Sequence, residues 1–118
     1  MIRLYHNPKC SKSRAALSLL EEAGAEIEVV EYLKHPPSYE ELDRLLGMLG
    51  LEPRELMRQK EEEYADLYLD DITLERKHLI AAMVDNPNLI ERPIAIAIAG
   101  SRAVIGRPPE QVLKLLSE

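Results

Sequence analysis

The chain has 118 residues, of which 46% are hydrophobic and 31% are charged, and its net charge is −6. This composition predicts one domain with its own apolar core and excludes a disordered chain. The negative charge argues against binding to nucleic acid or an anionic membrane, and no apolar run approaches membrane-spanning length. The single cysteine cannot form an internal disulfide, and the first residues lack a secretory pattern, so we expect a reducing, cytoplasmic location.

The first third of the sequence predicts a strand, a helix and a second strand. Residues 2–5 and 27–32 are short apolar runs typical of strands, and an Asn-Pro pair marks a turn after the first of them. Residues 11–23 follow a helical pattern that ends at Gly24, with apolar side chains on one face at Ala16, Leu19, Leu20 and Ala23. Two strands joined by such a helix form a parallel unit with a right-handed crossover.

The middle of the chain, about residues 33–90, predicts a helical insertion. Ser38 and Glu41 have the spacing of a capping box, and the leucines that follow define a helix that ends at a glycine. Pro53 suits the first turn of a second, short helix, and a third helix is predicted from near Thr73 to an Asn-Pro pair. We therefore expect helices between two halves of a sheet.

The last part of the sequence predicts two more strands and a helix. The segment PIAIAIAGSRAVIG has two apolar runs around an Ala-Gly-Ser turn, which is typical of an antiparallel hairpin. The segment RPPEQVLKLL begins with proline and has the apolar spacing of a helix. The complete order is β-α-β, helical insertion, β-β-α. This order predicts an α/β, thioredoxin-like fold with a four-stranded mixed sheet, in a single domain over residues 1–118.

Cys10 lies at the junction between the first strand and the first helix. A helix N-terminus stabilises a thiolate through its free N–H groups and its dipole, and nearby cations lower the thiol pKa further. Residues 1–20 contain no Asp or Glu, and their bases are Arg3, Lys9, Lys12 and Arg14. We interpret Cys10 as a reactive thiol. The alternative is a small buried apolar residue, which is the common role of a lone cysteine.

The other charged residues near Cys10 allow simpler interpretations. His6 either helps to hold the thiolate or packs against the loop. The remaining bases are interpreted individually as solvated surface charges: Lys9, Lys12 and Arg14.

Three arginines elsewhere in the chain suggest an anion site. Arg92 and Arg107 each precede a proline at the start of an element, and Arg58 lies in the insertion. Proline holds the preceding residue extended, and in thioredoxin-like folds the proline that begins the third strand is commonly cis and faces the thiol of the first helix. Each arginine alone is more often structural. Together with a thiolate they would form an oxyanion pocket, because planar guanidinium groups match tetrahedral oxyanions.

Four segments resemble, in the same order and at compatible spacings, the blocks of the glutaredoxin-dependent arsenate reductase family: YHNPKCSKSR, LMRQKEEEY, NPNLIERPI and GRPPEQVL. The Cys-Ser-Lys-Ser loop resembles a branch of that family called arsenate reductase-like. The resemblance implies a thioredoxin-like fold with a helical insertion, Cys10 as the nucleophile, and His6 as a residue that lowers its pKa. It also implies four substrate-binding residues: Arg58, Arg92, Arg107 and Ser13. Ser13 stands where some related thiol proteins carry a second cysteine.

The resemblance also implies a reaction and its partners. The Cys10 thiolate attacks arsenate, glutathione reduces the adduct, and glutaredoxin resolves the resulting glutathione species with release of arsenite. The lack of a second cysteine agrees with reductants that come from outside the chain. We expect no bound cofactor and no metal, because the cysteine and the three histidines lack metal-ligand spacing.

Two other functions share these features. One is a glutathione-dependent thiol reductase that acts on another oxyanion or on a mixed disulfide. The other is an Spx-type regulator that binds RNA polymerase. Those regulators commonly carry Cys-x-x-Cys in this loop, whereas this chain has Ser13 at the fourth position and the full set of arginines. The loop also departs from well-studied arsenate reductases, which tend to have Gly-Thr where this chain has Ser11-Lys12.

Overall fold

A computed structural model describes residues 1–99 and 101–116 of the chain. The chain divides into two compact units. The first consists of Met1–His35 together with the segment that begins at Arg92, and the second is Pro36–Glu91. The expectation that the chain forms one domain with an insertion over about 33–90 stays a prediction. Within the described residues, no helix is long and apolar enough to cross a bilayer.

The first unit is built on a four-stranded mixed sheet. Its strands are β1 (Ile2–His6), β2 (Ile27–Glu31), β3 (Ile94–Ala97) and β4 (Arg102–Ile105), arranged in the order β2-β1-β3-β4. Helix α1 (Ser11–Glu22) connects β1 to β2, which are parallel, while β3 is antiparallel to both β1 and β4. The predicted α/β, thioredoxin-like fold is therefore confirmed. The predicted hairpin turn includes Gly100, which lies outside the described residues.

The core of the first unit fixes the position of α1. Alternation along β1 places Ile2 and Leu4 in this core, which α1 and the last helix also enter. The other buried members are Ala16, Leu20, Ala95, Val112 and Leu115. Because full burial of one leucine contributes roughly 1.5–3 kcal/mol, this apolar contact holds α1 firmly to the sheet. The N-terminus of α1 therefore has a fixed place beside the end of β1.

The last helix forms where the sequence predicts it, over Pro109–Leu116, but it is a 3-10 helix. The backbone N–H of Gln111 donates to the carbonyl of Pro108 at 3.0 Å, which is the three-residue bond of that tighter helix. Two successive prolines at its start remove two donors. Apolar spacing alone does not distinguish this helix from an α-helix.

The regular elements of the second unit are all helices. They are α2 (Tyr39–Leu49), α3 (Pro53–Leu56), α4 (Glu62–Asp66), α5 (Arg76–Asp85) and a 3-10 turn at Pro87–Leu89. The capping box predicted for α2 is present, and Gly50 ends this helix in the left-handed region at φ 68°. Helix α4 is not predicted by the sequence. It is about one turn long and has one buried residue, Tyr64, which is too little for a periodic signal.

Candidate active site

Cys10 ends the loop between β1 and α1 and lies immediately before the helix. Cys10 is the N-cap of α1, with extended dihedral angles of φ −96° and ψ 123°, and it is partly exposed. Its backbone N–H donates to the carbonyl of Asn7 at 3.0 Å, and the N–H of Lys9 donates to Oδ1 of Asn7 at 3.0 Å. Arg14 donates from its backbone N–H to the carbonyl of Cys10 at 3.0 Å and so begins the helix. These bonds fix the backbone conformation at Cys10, the residue that carries the sulfur.

His6 and Ser13 are brought together behind this loop. Nδ1 of His6 lies 2.6 Å from Oγ of Ser13, and both side chains are buried. The same oxygen accepts a hydrogen bond from the backbone N–H of Asn7 at 3.0 Å. Burial lowers the pKa of His6; Glu31 acts in the opposite direction and Arg14 in the same direction. The neutral imidazole is therefore favoured over the charged form.

Arg92 and Arg107 both approach the sulfur of Cys10. Nη2 of Arg107 lies 3.7 Å from Sγ and donates to it, and the side chain of Arg92 is hydrogen-bonded to the same sulfur. Nε of Arg107 also donates to the main-chain carbonyl of Arg92 at 2.7 Å. The peptide bonds from Arg92 to Pro93 and from Arg107 to Pro108 are both cis. Two guanidinium groups from separate segments thus meet at one thiol.

The surroundings of Cys10 favour its ionised form. Burial by itself raises the pKa of the thiol, because it disfavours the charged form. Hydrogen bonds from the backbone N–H groups of Ser13 and Lys12 and from the side chain of Arg92, together with the charge of Arg92, outweigh burial. The net result is a thiol pKa below the ordinary value. Cys10 has the environment of a reactive cysteine rather than that of a buried apolar residue.

The bases adjacent to Cys10 are exposed, as their interpretation as surface charges requires. Lys9, Lys12 and Arg14 all have exposed side chains. Arg14 also makes a specific contact, because its Nη1 donates to the carbonyl of Pro8 at 2.9 Å. This bond ties the helix to the turn that precedes Cys10.

Arg58 lies in the second unit and has two carboxylate partners there. Its Nε is 3.3 Å from Oε1 of Glu61, and its Nη1 is 2.8 Å from Oε1 of Glu91. Its backbone N–H donates to the carbonyl of Leu89 at 2.7 Å. The role of Arg58 in binding an oxyanion stays a prediction.

A sequence model of the ArsC family matches residues 5–115. The chain belongs to the ArsC family. It is 54% identical over 116 residues to a protein of Escherichia coli (strain K12) named "Uncharacterized protein YfgD", a match that covers 98% of this chain and 96% of the relative. It is 47% identical over 116 residues to an arsenate reductase of Neisseria meningitidis serogroup B, covering 98% of this chain and 97% of the relative.

The fold of this ArsC-family chain is also that of a solved relative. A structure named "Arsenate reductase from Vibrio cholerae" superimposes with a TM-score of 0.92 at 52% sequence identity. The superposition covers 97% of this chain and 96% of that chain. The sequence resemblance to arsenate reductases is thus confirmed at the level of the family.

Two residues of this ArsC-family chain make contacts that the sequence does not indicate. Asn7 is visible in the sequence only as part of a turn, yet it forms hydrogen bonds with Lys9, Cys10 and Ser13. The bond from the N–H of Lys9 to Asn7 is of the Asx type, which an asparagine commonly forms with the residue two positions later. The bonds to Cys10 and Ser13 depend on the folded loop. Glu91 contacts Arg58 across 33 positions of sequence, and spacing offers no signal for that pair.

The shifted pKa of Cys10 predicts how its reactivity depends on pH. We expect the rate of alkylation by iodoacetamide to rise with pH and to level off with an inflection below about 8.5, the value of a free cysteine. The urea-unfolded chain is the control and should show the ordinary inflection. An ordinary inflection in the folded protein would contradict the electrostatic assignment. Ionisation of Cys10 should also contribute stability that is present above the unfolded-state pKa and is lost as the pH falls through the folded-state pKa.

Proposed function

We propose that this protein is an oxidoreductase that reduces arsenate to arsenite, with Cys10 as the nucleophile and with glutathione and glutaredoxin as external reductants. The observation that carries the proposal is the contact of Arg107 with the Cys10 sulfur, 3.7 Å away, in a site where the thiol pKa is lowered. The ArsC-family membership and the relatives named arsenate reductase support the choice of substrate.

The first step is attack on arsenic by the Cys10 thiolate. A sulfur–arsenic bond forms, and one arsenate oxygen is protonated and leaves as water. Arg92 and Arg107 attract the oxyanion and offset the negative charge that is redistributed in the transition state. The family resemblance adds Arg58 to this set and Ser13 to the substrate-binding residues.

The later steps reduce arsenic with thiols from outside the chain. The sulfur of glutathione then forms a bond to arsenic, the thiol proton is transferred, and a second arsenate oxygen leaves as water. A glutaredoxin thiolate then attacks that glutathione sulfur, forms a mixed disulfide, and leaves two electrons on arsenic, which becomes As(III). Water displaces arsenite from Cys10 and returns the thiol. Both electrons come from the two external sulfurs, so the chain needs no second cysteine.

The test is arsenate reduction by the purified protein with glutathione, glutaredoxin and a system that regenerates both. We expect arsenite to form in the complete mixture and to fall to the protein-free background when either glutathione or glutaredoxin is omitted. Arsenite formation that continues without glutathione would contradict the external-reductant scheme.

Two further assays of the same protein distinguish the rival functions. Turnover of glutathionylated substrates without turnover of arsenate would favour the glutathione-dependent thiol reductase. Specific recovery of RNA polymerase on the immobilised protein, without turnover of either substrate, would favour the Spx-type regulator. A cytoplasmic location and the lack of a metal or bound cofactor stay predictions.

A further inference from the structure

Ser13 connects His6 to the loop that carries Cys10. Its side chain has no exposed surface, and its Oγ contacts both Nδ1 of His6 at 2.6 Å and the backbone N–H of Asn7 at 3.0 Å. The backbone N–H of the same serine is directed at the Cys10 sulfur. One residue therefore joins the histidine and the thiolate through its two different polar groups.

The surroundings of His6 do not favour a role as a positive charge. The ring lies at the end of β1 and is 6% exposed, so that protonation carries a desolvation cost. Two charged groups act on it, and they oppose each other, because Glu31 favours protonation and Arg14 disfavours it. Nδ1 is already engaged by Ser13.

We propose that Ser13 is a positioning residue, and that His6 affects Cys10 by holding Ser13 in place rather than by charge. The inference deepens the proposed function in that it takes Cys10 as the nucleophile. A ring fixed at the end of β1 holds Oγ of Ser13, which in turn fixes the first turn of α1. The N–H of Ser13 is then kept in line with the sulfur. Ser13 is consequently assigned a structural task within the site, beside the substrate-binding role that the family resemblance implies.

The test measures the second-order rate of Cys10 alkylation as a function of pH in four variants: His6→Ala, His6→Asn, Ser13→Ala and the double variant His6→Ala/Ser13→Ala. Asparagine can present a hydrogen-bonding group where Nδ1 lies, but it does not titrate. Ser18→Ala is the matched control, because Ser18 is exposed on the same helix. The ionisable groups that face the two residues, Glu31 and Arg14 at His6 and Arg92 and Arg107 at Cys10, stay unchanged in every variant.

We expect Ser13→Ala and His6→Ala each to raise the thiol pKa and to slow alkylation below neutral pH by about three- to tenfold, the loss of one hydrogen-bonded link. The double variant should be no slower than either single variant, because both remove the same link. His6→Asn and Ser18→Ala should stay within about twofold of the natural protein. If His6→Ala does not fold, the alkylation rates of Ser13→Ala and His6→Asn still test the proposal.

Additive losses in the double variant would overturn the proposal. So would a His6→Asn variant that is as impaired as His6→Ala while Ser13→Ala alkylates at the natural rate, since that pattern indicates a role for the imidazolium charge. Alkylation requires no arsenate, so a failed arsenate assay together with the expected alkylation pattern would reject only the proposed substrate.

Discussion

Replacement of Cys10 by serine is expected to reduce arsenate reduction to background, a loss of about 10⁴-fold or more in kcat. Serine is close to isosteric with cysteine, so the loop and its hydrogen bonds should persist. Its hydroxyl is not ionised by the N–H groups and guanidinium groups that suffice for a thiol, and the sequence contains no second cysteine. The measurement is arsenite production with glutathione and glutaredoxin in excess.

The matched control for Cys10→Ser is Ser11→Ala, which alters the exposed residue next to the nucleophile. Ser11→Ala should retain activity within about twofold. The Cys10→Ser variant should still bind arsenate, because both guanidinium groups remain. Arsenite formation by Cys10→Ser at the natural rate would rule out Cys10 as the nucleophile.

Replacement of Arg107 by alanine is expected to have the second-largest effect, a loss of about 10²–10³-fold in kcat/KM for arsenate. The variant removes a donor 3.7 Å from the sulfur and a positive charge from the oxyanion site. We expect the thiol pKa to rise as well, because a cation that favours the thiolate is lost. Arsenate kinetics and the pH dependence of alkylation measure these two consequences separately.

Two further substitutions make the Arg107 experiment specific. Arg107→Lys should keep much of the effect on the thiol pKa and recover little arsenate turnover, because an ammonium group lacks the planar paired donors of guanidinium. Arg44→Ala removes a charge from an exposed position on α2 and should leave both measurements unchanged. A kcat/KM for arsenate in Arg107→Ala equal to that of the unsubstituted protein would show that this arginine does not act on the oxyanion.

The sequence predicted the sheet and the neighbourhood of Cys10 because both depend on local signals. Alternation in β1, the glycine after α1 and the prolines before β3 and the last helix are each visible within a few residues. Arg92 could be placed near Cys10 because its position before a proline at a strand start has a fixed meaning in this fold. Arg107 was expected near the thiolate only as one of the three arginines that together would form an oxyanion pocket, and its contact with the sulfur is seen in the structure.

The rest of the site depends on contacts that are distant in sequence or specific to the folded loop. The hydrogen bonds of Asn7 to Cys10 and Ser13 depend on the folded conformation of residues 6–13. The sequence could have indicated Glu61 as a partner of Arg58, since the two lie three positions apart, but it carries no signal for Glu91. The resemblance to arsenate reductases therefore predicted a substrate-binding arginine without its two carboxylate partners.

The bond from Nε of Arg107 to the carbonyl of Arg92 has a consequence for reading mutational data. A carbonyl belongs to the backbone and survives any substitution of the side chain at position 92. Arg107 can therefore keep its orientation when the guanidinium of Arg92 is removed, whereas substitution of Arg107 removes the oriented guanidinium itself. The two arginines are therefore separable experimentally: substitution at position 92 removes a charge and a hydrogen bond to the sulfur but leaves the acceptor of Arg107 in place, whereas substitution at position 107 removes the donor that lies 3.7 Å from the sulfur.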